Sequence, residues 1–540
     1  MTTFIRPTVL LLLISLFFSS CTEETKPTDS KNDLKIFRYN QASAVNTLDP
    51  AYAKDQGTIW VANQIFNTLV QFDDNLNIVD GLAERWENSD DGLVYTFYLR
   101  KNIPFHKDVN LTDHTVTAED VAYSFSRILD PKLASPGSWI FSDKIADEDA
   151  FVALDEHTFQ LSLKKPFRPI MGILCMQYCS IVSKKAAEHY GVDFRSHPVG
   201  SGPFQYKNWK ENDVLILEKN PTYWEKDKAG NSMPKLDAVR ISFNENKQAA
   251  YLDFKQGKLD FLSGIDPSYQ DELLTEKGEL HPNFTETVVL DKSPFLNSEY
   301  LGFLLDEKTN PALSDKRVRQ AINYGFDREK MMRFLRNNVG VPATAGFVPK
   351  GLPSYNPKKV KGYTYQPEKA KKLLAEAGYT TQNPLPQILL ETTSSYVDLC
   401  TFIQKQLTEI GINIRLETIP SSSLRERMSK SESPFFRASW IADYPDAESF
   451  LTILYGDYPA PPNYTRFNNK TYNEIYQKAL LENDDETRFA YYQAMDQILI
   501  EEAPIVPLYY DEVLRFKKKK IKGLNNNGMN LLMLKNVSLD

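Results

Sequence analysis

Histidine and cysteine are scarce in this chain, and their scarcity excludes a good deal. The 540 residues hold six histidines and four cysteines. None of His106, His114, His157, His189, His197 and His281 sits at metal-ligand spacing on a helix or beside a nucleophile in a known frame. There is no C-x-x-C and no Cys/His cluster at zinc spacing. Cys175 and Cys179 are four residues apart, a poor geometry for a disulfide in a strand or a helix. Gly200-Ser201-Gly202 is neither a G-x-S-x-G elbow nor a phosphate loop, which would need a lysine and more length. Carboxylates are numerous, but none is marked out as an acid/base pair, although a glycosidase pair need not be close in sequence. A basic excess is missing too: the net charge is −8, so a nucleic-acid partner is excluded. Lys517 to Lys520 form a local run that reads as a solvated strand edge or turn. These absences argue against an enzyme and imply neither cofactor nor metal.

A long apolar run is also lacking. Val9 to Phe18, interrupted by Ser15 and preceded by Arg6, is too short for a bilayer span but suits the core of an export signal. It ends in Phe18-Ser19-Ser20-Cys21, which resembles the bacterial lipobox, with Phe18 where Leu is usual. Cys21 is then the expected lipid-attachment site, with the acyl chains forming a stable anchor. Residues 22–33 have almost no apolar content and read as a flexible tether. The mature protein is expected outside the cytoplasm, on the periplasmic or cell-surface side of a bacterial membrane.

The remaining chain is long enough for several domain-sized units. Leu34 to Tyr39 alternates as a strand, and Ile59 to Leu69 reads as a helix. Asp91-Gly92 between apolar runs predicts a hairpin. Thr117-Ala-Glu-Asp120 is a capping box ahead of Val121, Phe125, Ile128 and Leu129 on one helical face. Asp315 to Arg336 reads as one amphipathic helix with Ser314 as N-cap and with Arg317, Arg319 and Arg328 solvated or paired. Pro367 to Gly378 and Asp484 to Glu502 read as further helices.

One stretch, Arg437 to Asp446, reads as a short strand running into a Tyr-Pro-Asp turn. Arg437 and Asp443 carry opposite charges roughly 20 Å apart if extended, at about 3.3 Å per residue. A core strand ending in a solvated acidic turn fits this pattern. So does a strand that holds a short peptide by its amine and its carboxylate.

Several segments resemble one family in order along the chain. They include "IFNTLV", "LAERWENSDDGLVYTFYLRKNIPFH", "TVTAEDVAYSFSRIL", His197 to Phe204, Asn220 to Trp224, Gln256 to Asp260, Tyr300 to Phe303, Asp315 to Arg328, Pro367 to Tyr379 and Trp440 to Phe450. They are similar to the extracytoplasmic solute-binding proteins of peptide ABC transporters, the oligopeptide/dipeptide-binding family. Lys107 to His114 is an apparent insertion, read as a longer surface loop.

The resemblance implies an α/β, two-lobe periplasmic-binding-protein-like fold of the class II type, with an extra domain in the first lobe. The expected boundaries are 34–72, 200–295 and 510–540 for the first lobe, 73–199 for the extra domain and 296–509 for the second lobe. Gly200 to Gly202 is assigned a hinge or crossing role. The implied partners are a peptide ligand, an ABC permease and, through the lipid anchor, a membrane, with the protein a monomer. Asp443 matches the family's anchor for the peptide ammonium, and Arg437 an arginine that meets the peptide carboxylate. Ser439 and Ile441 lie on the segment that pairs with the peptide backbone, and Trp440 lines the same wall. Asp55, Gln56 and Gly57, next to Lys54, supply the first-lobe face. Relatives in the same fold bind nickel complexes, sugars or other small molecules, and that alternative stays open.

Overall fold

The computed structural model describes residues 34–264, 266, 269–306 and 311–540. The expected export signal, Cys21 and the tether 22–33 lie outside the described residues.

An eleven-stranded mixed sheet runs through the molecule. Its order is Ile414–Thr418, Ile388–Thr392, Phe435–Ile441, Val288–Phe303, Ile505–Lys518, Phe261–Ser263, Ile36–Gln41, Ala238–Phe243, Val214–Lys219 and Phe204–Lys210, with Val341–Pro342 added to the fifth. The two central strands are 16 and 14 residues long, and each serves both ends of the sheet. Val288 to Pro294 pairs with Lys518 to Glu512; the register then slips, and Ser298 to Gly302 pairs with Tyr510 to Ile505. Pro294 has no N–H for the ladder, which suits a break, and a bulge bends the strands where it falls. The chain therefore crosses between two lobes on these two strands, with the bend at residues 294–298.

Each lobe has its own core. The first lobe packs Phe37, Tyr39, Trp60, Val239 and Ile241 in one continuous cluster with Phe97, Phe125 and Phe159. The last three belong to a subsidiary antiparallel sheet, Ala83–Asn88, Val94–Leu99, Thr158–Ser162 and Phe151–Asp155 in that order, and to the helix Ala118–Ile128 above it. That helix opens with the reciprocal Thr117/Asp120 capping box. In the second lobe, strand alternation divides the core between two faces. Leu301 and Phe303 join Val318, Ile322 and Ile403 on one face, while Tyr300 joins Phe436, Phe450 and Tyr472 on the other.

Three expectations are corrected. The segment 315–336 is two helices, Lys316–Tyr324 and Arg328–Arg336, capped by Asp315 and Asp327 and not by Ser314. The break falls at Gly325, where a Cβ would run into the side chains of Ile410 and Leu407, and a second Asp cap restarts the helix. Arg319 and Arg328 are not solvated and, among the described residues, neither is paired with a carboxylate. Both are buried and donate to carbonyls: Arg319 to Ala503 at 3.0 Å and Leu313 at 2.7 Å, Arg328 to Pro507 at 2.7 Å and Asn323 at 2.8 Å. Arg319 ties the C-terminal end of the helix Asp485–Glu502, a favourable place for a cation, to Leu313, and Arg328 ties the strand Ile505–Lys518 to Asn323 in the helix Lys316–Tyr324. Gly200 and Gly202 are not at the crossing. They lie against the Ile65 carbonyl at the end of the helix Gln56–Ile65, with Gly202 N–H donating to it at 2.9 Å, too close for a side chain.

Smaller expectations fare differently. Lys517 and Lys520 are ion-paired, with Asp291 at 2.6 Å and Asp260 at 2.7 Å, so the lysine run is not wholly solvated. Cys175, Cys179 and Cys400 are free thiols.

Candidate functional site

The strand Phe435–Ile441 lies in the second-lobe half of the large sheet, beside Val288–Phe303. Its pairing with Val288–Phe303 sets Ala438 opposite Tyr300 and Trp440 opposite Ser298, and the Ala442 N–H donates to the Leu296 carbonyl at 2.8 Å. Antiparallel pairing alternates, so the even-numbered residues turn their backbone groups to that neighbour and the odd-numbered ones turn theirs away. On the far side the pairing is a single parallel bridge centred on Phe436 and Glu391, made through the odd-numbered residues that flank Phe436, because the neighbouring strand ends at Thr392. Among the described residues, the backbone edge at Ser439 and Ile441 is unpaired. Such an edge is a template for one more extended chain.

Just past the strand, the turn is built by local hydrogen bonds. Asp443 N–H donates to Ser449 Oγ at 3.1 Å, and Glu448 N–H donates to Asp446 Oδ1 at 2.9 Å. Asp446 is held by Arg488 at 2.6 Å. Glu448 is buried and accepts from the hydroxyls of Tyr444 and Tyr476. The Asp443 carboxyl differs from these neighbours: among the described residues no cation pairs with it. Burial, and secondarily the charge of Glu448, push it up to about 7. A carboxyl held this way, desolvated with no cation beside it, favours any cation that can reach it.

The facing wall comes from the first lobe. Tyr178 is buried, its ring packed on Gly137 so tightly that a Cβ there would clash. Its hydroxyl is pushed up to about 12 by burial and then by the nearby charges of Asp443 and Asp55. Asp55 caps the helix Gln56–Ile65, accepting from Thr58 N–H at 3.0 Å. Gln56 is exposed, and the Gly57 carbonyl accepts from Gln41 Nε2 at 3.3 Å. Beside this wall, a cavity of about 370 Å³ opens between Trp86, Arg168 and Gly172 of one lobe and Tyr444, Arg488 and Phe489 of the other.

Arg437 lies deeper. Its side chain is 10% exposed and ion-paired with Glu299, itself 3% exposed, and its guanidinium stacks 3.1 Å from the centre of the Tyr396 ring. Burial opposes the charge on Arg437, but Glu299 and Tyr396 outweigh it and raise its pKa. Asn297 Nδ2 bridges Glu299 Oε1 at 3.1 Å and Asp511 Oδ2 at 3.4 Å, and Asp511 pairs with Arg336 at 2.9 Å. Trp440 turns to the opposite face of the strand and packs half-buried against the core around Tyr300 and Phe436, its indole N–H buried without an acceptor among the described residues. Ile441 is 52% exposed.

The structure thus brings Asp443 and Asp55 near Tyr178 and leaves Ser439 and Ile441 on the strand that leads to Asp443. It sets Arg437 in a charge network and Trp440 in a core. Sequence reasoning missed Tyr178, Glu299 and Tyr396. No local signal marks them, since each reaches the site through long-range packing. Glu448 and Ser449 had a signal, lying a helical turn beyond the Tyr-Pro-Asp turn.

Two lobes joined by a pair of crossing strands define a binding protein of the two-lobed extracytoplasmic class. The sequence pattern of bacterial extracellular solute-binding proteins, family 5 Middle, matches residues 77–461, and the chain belongs to that family. It is therefore a binding protein of solute transport and not an enzyme. Di/tripeptide-binding protein 2 of Pseudomonas aeruginosa (strain UCBPP-PA14) is 26% identical over 550 positions, 98% of this chain and 98% of that one. The structure of HbpA2 from Haemophilus parasuis gives a TM-score of 0.81 at 26% identity, covering 94% of this chain and 100% of that chain. The periplasmic binding protein DppA from Helicobacter pylori, in complex with the peptide STSA, gives 0.75 at 28%, covering 93% and 98%. Among the described residues, no helix is long and apolar enough to cross a membrane.

Proposed function

We propose that this protein captures peptides in the gap between its lobes and delivers them to an ABC transporter permease. The observation that carries the reading is the Asp443 carboxyl, desolvated and, among the described residues, without a cation, just past an unpaired strand edge. A peptide meets both features at once. Its ammonium neutralises Asp443 in a charge-assisted contact, and its backbone pairs with Ser439 and Ile441 as an added strand. Backbone pairing is independent of side-chain identity, which suits a transporter of many peptides. Tyr178, Asp55, Gln56 and Gly57 close over the ligand from the first lobe. Trp440 supports the strand from behind.

Closure follows from bending at the crossing strands, near residues 294–298, and is favoured only by contacts better made in the closed form. In this reading residues 34–72, 200–295 and 510–540 form the first lobe, 73–199 its extra domain and 296–509 the second lobe. The protein works as a monomer, tethered to a bacterial membrane by lipid on Cys21. The relative named for di/tripeptides and the neighbour holding the peptide STSA support the peptide reading.

Calorimetric titration with di- to pentapeptides tests it, run beside sugars and nickel chelates. Binding of peptides is expected. Binding of a sugar or chelate with no response to any peptide would overturn it.

A further inference from the structure

The two charges that bracket the strand end differ in one respect: among the described residues Asp443 has no counterion, and Arg437 has one. We infer that Glu299 neutralises Arg437, so that the cleft reads the amine of its ligand and is indifferent to whether the other end is a free carboxylate.

Arg437 pairs with Glu299, and Arg336 pairs with Asp511 at 2.9 Å. Asn297 links the two pairs through Glu299 Oε1 and Asp511 Oδ2. Two guanidiniums face two carboxylates, and the cluster sums to zero. A ligand carboxylate arriving here would meet Glu299 and Asp511 as like charges while it competed for Arg437. Displacing Glu299 would leave that carboxylate buried and unpaired, which is the costly way to break such a pair.

Access points the same way. Arg437 is fixed on one side by Glu299 and on its face by Tyr396, and Tyr396 Oη lies 3.5 Å from Glu299 Oε1. Glu299 is held in turn by its strand, opposite Ser439 on one side and Tyr509 on the other. The counterion is thus part of the crossing strand itself and does not belong to a loop that could withdraw.

Neutrality at this end has a consequence for ligand class. A site with both a free acid and a free base selects peptides whose length matches the distance between them. A site with only the acid fixes the amine and lets the chain run on. The accepted class is amine-bearing peptides of several lengths, including chains whose carboxyl end is blocked.

The inference rests on the peptide reading, and one titration series separates the two. Di- to penta-alanine and their C-terminal amides are titrated into the full-length protein. Acid and amide are expected to bind within about threefold of each other at every length that binds. A tenfold or greater loss on amidation would overturn the inference while leaving the peptide reading intact. No binding of any alanine peptide would overturn both. In Glu299→Gln, where the neutral amide leaves Arg437 charged, the acid is expected to gain at least tenfold over the amide. Equal binding in that variant would also overturn the inference.

Discussion

Gly172 of the first lobe lies against Tyr444 of the second: a Cβ on Gly172 would sit 3.3 Å from the Cβ of Tyr444. Tyr444 follows Asp443 directly and is buried among first-lobe side chains. The two lobes therefore touch at the residue next to the proposed amine anchor, and the size of residue 172 sets how closely they approach. Gly172→Val should hold the lobes apart at this point. Overpacking costs about 1–3 kcal/mol. Peptide affinity is expected to fall about tenfold, roughly 1.4 kcal/mol, with little change in Tm. Calorimetry beside thermal denaturation checks this, and unchanged affinity would show that the contact plays no part in closure.

Ligand affinity should depend on pH in a bell. Asp443 is held at about 7 in the empty protein, so below that pH a peptide ammonium must displace a proton to bind. The apparent association constant should fall about tenfold per pH unit there. Above about 8 the free peptide amine loses its own proton, and affinity should fall again. Titrations between pH 5 and 9 test both limbs, and a flat acid limb would remove Asp443 from the ligand contact.

The same carboxyl makes a prediction about stability. Its pKa is higher folded than unfolded, so the folded state binds more protons between about pH 4 and 7 and loses stability as pH rises through that window. Asp443→Asn removes this loss. The ligand-free variant should be more stable than the parent at pH 8, on the order of 1–3 kcal/mol, and equal to it below about pH 4. Denaturant melts at both pH values check the sign. Lower stability of the variant at pH 8 would mean that an unseen cation holds Asp443.

Arg328 offers a contrasting test away from the cleft. Its guanidinium satisfies the Pro507 and Asn323 carbonyls inside the second lobe. Arg328→Met should leave those groups unsatisfied and cost about 2–4 kcal/mol of stability. Peptide affinity of the folded fraction should stay the same. Urea denaturation and calorimetry together separate the two effects.

Much of this was legible in the sequence where the cause is local. The strand at 435–441, the turn at Asp443 and the Thr117 capping box follow from alternation and turn chemistry, and all are present. The break between the helices at Gly325 was not legible, because an apolar face runs through Val318, Ile322 and Phe326 without interruption. What breaks it is contact with Leu407 and Ile410 from a distant helix and turn. Glu299 shows the same limit at the site. It lies 138 positions from Arg437 and becomes its counterion only through the strand register. A residue's charge can be read from sequence, but whether that charge is already neutralised depends on tertiary pairing.

The account turns on Asp443 holding an amine. The most direct measurement is a calorimetric comparison of tri-alanine with N-acetyl-tri-alanine on the parent protein and on Asp443→Asn. In the parent, acetylation should cost at least about 100-fold in affinity, roughly 2.7 kcal/mol. In Asp443→Asn, tri-alanine should bind weakly and acetylation should make little further difference. Equal binding of the two peptides to the parent protein would contradict the account.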